Sequence, residues 1–157
     1  MIELEIPGWR RLRLEHLLLD VNGTIARDGE LLAGVADRVA ALRQLLAVRV
    51  LSADTFGRLD EQARALRIPA LRLRAGEPEG GQKAAVVRGL GPAGVVAIGN
   101  GANDAEMLAA AAVGIAVLGP EGLASRALAS ADVVVSSIED GLDLLLRPRR
   151  LVATLRR

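Results

Sequence analysis

Four short stretches of this chain carry residue types that can do chemistry together. The first is Asp20-Val21-Asn22-Gly23-Thr24, directly after the apolar run Leu17–Leu19. A carboxylate at such a point can serve as a nucleophile or a metal ligand. Gly23 permits a turn in which backbone amides face an anion, and Thr24 adds a hydroxyl. The plainer role for Asp20 is capping a turn. The second stretch is Val48–Leu51 followed by Ser52, with Thr55 the nearest alternative hydroxyl and Asp54 placed either at a cleft or on the surface. The third is Lys83, at the start of an apolar-patterned segment. The fourth is Gly99-Asn100-Gly101-Ala102-Asn103-Asp104 after the run Val95–Ile98. Asp20 and Asp104 are hard oxygen ligands suited to Mg²⁺. Ser52 and Lys83 supply a hydroxyl and a cation for phosphate oxygens. Asn103 reads as a buttress of its loop. Together these groups suit phosphoryl transfer to an aspartate, with metal and lysine neutralising the phosphoryl oxygens.

The elements that must position them follow from periodicity. Short apolar runs at 17–20, 48–51, 68–73, 95–98, 114–118 and 132–135 read as strands. Segments 35–46, 56–66, 82–90, 104–112, 121–128 and 137–146 read as helices, with a basic final turn over 151–157. Residues 74–81, rich in Gly, Pro and Glu, read as a loop. Met1–Ile6 and Arg11–His16 alternate apolar and charged residues about Pro7-Gly8, as a hairpin does. Residues 25–34, around Asp28-Gly29, form a short excursion that reads as a flap. Regular alternation of strands and helices predicts a parallel sheet covered on both faces. In such sheets the strand C-termini share one edge, where ligands bind, so the four polar clusters can meet in one cleft.

Composition narrows the function. The 157 residues suit a single domain with a real core. Trp9 and Phe56 are the only aromatics and net charge is +1, which argues against nucleic-acid binding by base stacking or by a basic surface. There is no cysteine and a single histidine, His16, which precedes the first central strand and reads as structural. No signal peptide is evident, and no run reaches the ~18 apolar residues of a membrane span, so a cytoplasmic location is expected.

In order and type, the four stretches resemble the motifs of the haloacid dehalogenase (HAD) superfamily, with the Gly-x-Gly-x-Asn-Asp form closest to P-type ATPases without their membrane helices. The resemblance covers about residues 17–140. It implies a Rossmann-like three-layer α/β/α fold with an N-terminal hairpin and no large cap: one HAD-like domain over 1–157, its core about 17–147 and its flap about 25–34. It further implies a phosphohydrolase with Asp20 as nucleophile, phosphate held by Gly23, Thr24, Ser52 and Lys83, and Mg²⁺ held by Asp20, the Asn22 carbonyl, Asn100 and Asp104. Two departures are plain. Asn22 stands where the family's phosphatases carry an acid/base aspartate, so hydrolysis of an aspartyl-phosphate is expected to be slow. Asn100 stands where a metal-binding aspartate is usual, so metal affinity is expected to be low. A catalytically impaired phosphate-binding module and a soluble ATPase-like autophosphorylating protein are the alternatives. The small flap leaves the cleft open to a macromolecular phosphorylated substrate or to a neighbouring subunit of a homo-oligomer.

Overall fold

The computed structural model describes residues 1–157. In chain order it comprises β1 (Ile2–Ile6), β2 (Arg10–Leu14), β3 (His16–Asp20), β4 (Ala26–Arg27), β5 (Glu30–Leu31), α1 (Val35–Leu42), β6 (Ala47–Ser52), α2 (Leu59–Leu66), β7 (Ala70–Arg72), α3 (Glu79–Leu90), β8 (Val95–Gly99), α4 (Ala105–Ala110), β9 (Val113–Val117), α5 (Ser125–Ser130), β10 (Val133–Val135), α6 (Ile138–Leu146) and α7 (Pro148–Leu155). Six strands form one sheet in the order β10-β9-β8-β3-β6-β7, with every neighbouring pair parallel.

The period of two along each strand sorts its side chains between two cores. Leu17, Leu19, Val96 and Ile98 face the larger core, shared with α1, α2, α6 and α7. Leu18, Val95 and Ala97 face the smaller one, shared with α3, α4 and α5. All seven are fully buried, as strands covered on both faces must be. The sheet is thus the middle of three layers. The β1–β2 hairpin forms as expected and closes the larger core with Ile2, Leu4, Ile6, Leu12 and Leu14. Its other face pairs Glu3 with Arg13 and Glu5 with Arg11 across the strands.

The strand order places the site. From β3 the chain steps outward through β6 to β7, then returns to the other flank of β3 through β8. The crevice between the C-terminal ends of β3 and β8 is therefore the switch point of the sheet. Asp20 ends β3, and Asn100 directly follows β8.

Several helix boundaries differ from the sequence expectation. α3 begins at Glu79 and so takes in Gly80 and Gly81, which the sequence assigned to a loop. A Cβ at Gly80 would sit only 3.1 Å from Glu106 Oε1. Close packing on the 102–106 segment outweighs the poor helix propensity of glycine. α2 begins at Leu59 rather than Phe56, because Asp54 and Gly57 adopt positive φ and the Asp54 carboxylate accepts the Leu59 amide at 2.8 Å. α5 begins at Ser125 rather than 121: the Gly119–Gly122 turn intervenes. α1 stops at Leu42 and continues only as turns to Leu46. α7 starts earlier than expected, with Pro148 in its first turn. The flap is a two-stranded hairpin, β4–β5, pinned to α2 by Gln62 Nε2, which donates to the Gly29 carbonyl at 2.8 Å.

Candidate active site

At the switch point lies a polar cleft of about 250 Å³ whose lining includes Asp20, Asn22, Ser52, Lys83, Asn100 and Glu121. Residues from all four sequence stretches therefore meet. Asp20, Ser52, Lys83 and Asn100 are each at most 7 % exposed, so their charges and dipoles act in poorly screened surroundings.

Lys83 is the hub. Its ammonium donates to Asp20 Oδ1 and to Asp104 Oδ1, both at 2.7 Å. Burial on its own would lower the Lys83 pKa, but the two carboxylates overcome it and hold the ammonium above its ordinary range. Asp20 shows the reverse balance. Burial, aided by the Asp104 charge, outweighs Lys83 and the Thr24 hydroxyl and raises its carboxyl to about 6. The site thus holds more negative charge than its one cation neutralises.

Several residues take positions that the sequence did not anticipate. Asp104, expected as a metal ligand, is fully buried behind the cleft. One of its oxygens holds Lys83, and the other accepts the amides of Asn100 at 3.0 Å and Gly101 at 2.9 Å. It positions the lysine and the loop. The Thr24 hydroxyl, expected to bind phosphate, is fully buried and points inward to Asp20 Oδ2 at 2.8 Å and Asn100 Oδ1 at 3.0 Å. The Gly23 amide, expected to face an anion, donates instead to the Ala26 carbonyl at 2.8 Å. What Gly23 supplies is space: its φ is +81° and a Cβ there would lie 2.6 Å from Asn100 Nδ2. Ser52 does line the cleft; its oxygen accepts the Asp54 amide at 2.9 Å, leaving its proton free to donate. Asp54 turns away to cap α2 and pair with Arg72. Burial opposes its ionisation, but these contacts outweigh it and lower its pKa. Asn103 braces its loop by donating to Glu79. His16 lies at the opposite end of β3, beside Arg49.

Glu79, Thr55 and Glu121 also line the cleft. The sequence pointed to neither glutamate, because each stood in a segment read as ordinary loop or helix start. Thr55 was legible as the alternative to Ser52.

A divalent cation fits the donors present. No group of three or more His, Cys, Asp or Glu side chains could hold one, so the set must be mixed. It comprises the Asp20 carboxylate, the Asn100 side-chain oxygen and the Asn22 main-chain carbonyl, which accepts no hydrogen bond within the protein. These are hard oxygens of the kind Mg²⁺ takes. The Asp20 and Asp104 carboxylates outnumber the one Lys83 ammonium between them, and that surplus negative charge favours a cation there.

Solved structures share this parallel sheet and its connections. One is 3-deoxy-D-manno-octulosonate 8-phosphate phosphatase from Moraxella catarrhalis, in complex with magnesium, phosphate and the sugar acid. It superposes with a TM-score of 0.67 at 17 % identity, covering 91 % of this chain and 94 % of that one. The cobalt-bound deoxy-D-mannose-octulosonate 8-phosphate phosphatase from Haemophilus influenzae gives 0.67 at 16 % identity, covering 92 % and 94 %. No protein-family model matches the sequence. Among curated proteins, the uncharacterized protein MJ0073 of Methanocaldococcus jannaschii is 52 % identical over 62 residues, which span 40 % of this chain and 67 % of that protein. The chain belongs to the same family as that archaeal protein.

Proposed function

We propose that the protein is a Mg²⁺-dependent phosphohydrolase that passes a phosphoryl group through Asp20. The observation that carries this reading is the Asp20–Lys83–Asp104 arrangement at the floor of an open polar cleft. Lys83 and Thr24 hold the Asp20 carboxylate in one orientation. A carboxylate oxygen of Asp20 attacks phosphorus, and the bond from phosphorus to the ester oxygen breaks. The leaving alkoxide takes a proton from solvent. Water then attacks the aspartyl-phosphate, releasing inorganic phosphate and restoring the carboxylate. Lys83 and the Ser52 proton face the phosphoryl oxygens. A bound Mg²⁺ would neutralise charge on those oxygens, and Asp20, Asn100 and the Asn22 carbonyl are the groups that would hold it.

The second step is the slow one. Asn22 lines the cleft where an acid/base group would serve, and an amide does not exchange protons near neutral pH. General acid–base help is worth about 10²–10⁴ in rate. The same feature favours a second reading, a module that binds phosphate or becomes phosphorylated with little turnover. The magnesium-bound relative supports phosphate esters as the substrate class. No helix is long and apolar enough to cross a membrane, consistent with action in the cytoplasm. An open cleft is compatible with a macromolecular substrate or completion by a second copy.

Rapid mixing with p-nitrophenyl phosphate and excess Mg²⁺ tests this. The expected trace is a burst near one equivalent of alcohol, then a slow steady rate, both absent in Asp20→Ala. Alcohol release that Asp20→Ala leaves unchanged would overturn the role of Asp20. Phosphate binding without any release would favour the second reading.

A further inference from the structure

The Gly119–Gly122 turn is fastened to the site by Asn100 and packs closely on Gly23. Asn100 Nδ2 donates to the Gly122 carbonyl at 3.1 Å, and the Ala124 amide donates to the Asn100 carbonyl at 2.9 Å. On the other side, Gly119 lies so close to the Gly23 carbonyl that a Cβ would be 2.5 Å from it. In this turn stands Glu121, a cleft-lining carboxylate outside the ion pairs that Lys83 makes there. Its Oε2 comes within 2.9 Å of the point where a Gly23 Cβ would stand, and Asn100 Oδ1 comes within 3.0 Å of that same point. The Asn22 carbonyl belongs to the peptide that leads into Gly23 and has no partner within the protein. Two side-chain oxygens from two loops therefore approach the bare face of Gly23, beside the peptide that carries the Asn22 carbonyl.

We propose that Glu121 is a ligand of the divalent cation, supplying from the β9–α5 loop the second carboxylate that the neutral Asn100 does not provide. This rests on the metal reading above. Mg²⁺ sites typically carry one or two carboxylates. With Asp20 and Glu121 the site has two, while the Asn100 amide contributes an oxygen and, through Nδ2, fixes the turn that carries Glu121. The absence of a side chain at Gly23 leaves room for this convergence.

Calorimetric titration of Mn²⁺ and Mg²⁺ into the full chain tests the assignment without any turnover. Wild type, Glu121→Gln, Asp20→Asn, Asn100→Asp, the double variant Glu121→Gln/Asn100→Asp and the remote control Glu77→Gln are compared. Glu121→Gln is expected to weaken binding by about tenfold or more, on the scale of 10–100-fold losses seen when metal-site partners are removed. Asn100→Asp in that background is expected to recover most of the loss, and Glu77→Gln to change nothing. If Glu121→Gln binds as tightly as wild type while Asp20→Asn does not bind, the metal site stands and Glu121 is not part of it. If both variants bind as wild type does, the cation is held elsewhere and the underlying metal reading falls with the proposal.

Discussion

Lys83 reaches Asp104 at 2.7 Å with both side chains at most 1 % exposed, and the same ammonium holds Asp20. One cation thus stands between two carboxylates in a place that water hardly enters. Removing one member of a buried ionic group leaves the others uncompensated, which costs about 3–5 kcal/mol. Lys83→Met is accordingly expected to lower unfolding free energy by about that amount at neutral pH. Urea denaturation measures it. A loss below about 1 kcal/mol would mean the cluster is solvated.

Asp20 should behave in the opposite way. Its pKa rises from 3.8 to about 6 on folding, so between those values the folded state binds more protons than the unfolded state. Stability from this group is therefore present at low pH and lost as pH rises through about 6. Asp20→Asn mimics the neutral carboxyl. Without metal it is expected to be more stable than wild type at pH 8 by up to about 3 kcal/mol. That advantage should shrink as pH falls from about 6 towards 3.8. Melting curves across pH check it, and added Mg²⁺ is expected to raise only the wild-type curve.

Asn22→Asp places a proton-exchanging group in the cleft. Steady-state phosphate release is expected to rise by about 10²-fold or more, and the burst to diminish as the second step catches up. An unchanged steady rate would show that proton transfer at this position does not limit turnover.

Gln62 ties the flap to α2 through the Gly29 carbonyl. Gln62→Leu keeps the bulk and removes the donor, at a cost of about 1–3 kcal/mol for the carbonyl left unpaired. The expected sign is local: faster amide exchange over residues 26–31 with the β3 and β8 amides unaffected. Uniformly faster exchange would mean that the flap is integral to the core.

Taken alone, the sequence determined the parallel sheet, the hairpin, the order of the four polar stretches and the cleft in which they meet. Each is local: the period of Leu17–Asp20 or Val95–Gly99 defines a strand, and parallel strands carry their C-termini to one edge. Only the tertiary structure decided which way the polar groups point. Thr24 and Asp104 turn inward because buried donors and acceptors must find partners, and theirs lie on other elements: Asn100 for the first, Lys83 for the second. Gly80 enters α3 because packing on a distant segment outweighs local propensity. Glu121 reaches the cleft because Asn100 holds its turn. Those contacts join residues far apart in the chain, and spacing along the sequence carries no trace of them.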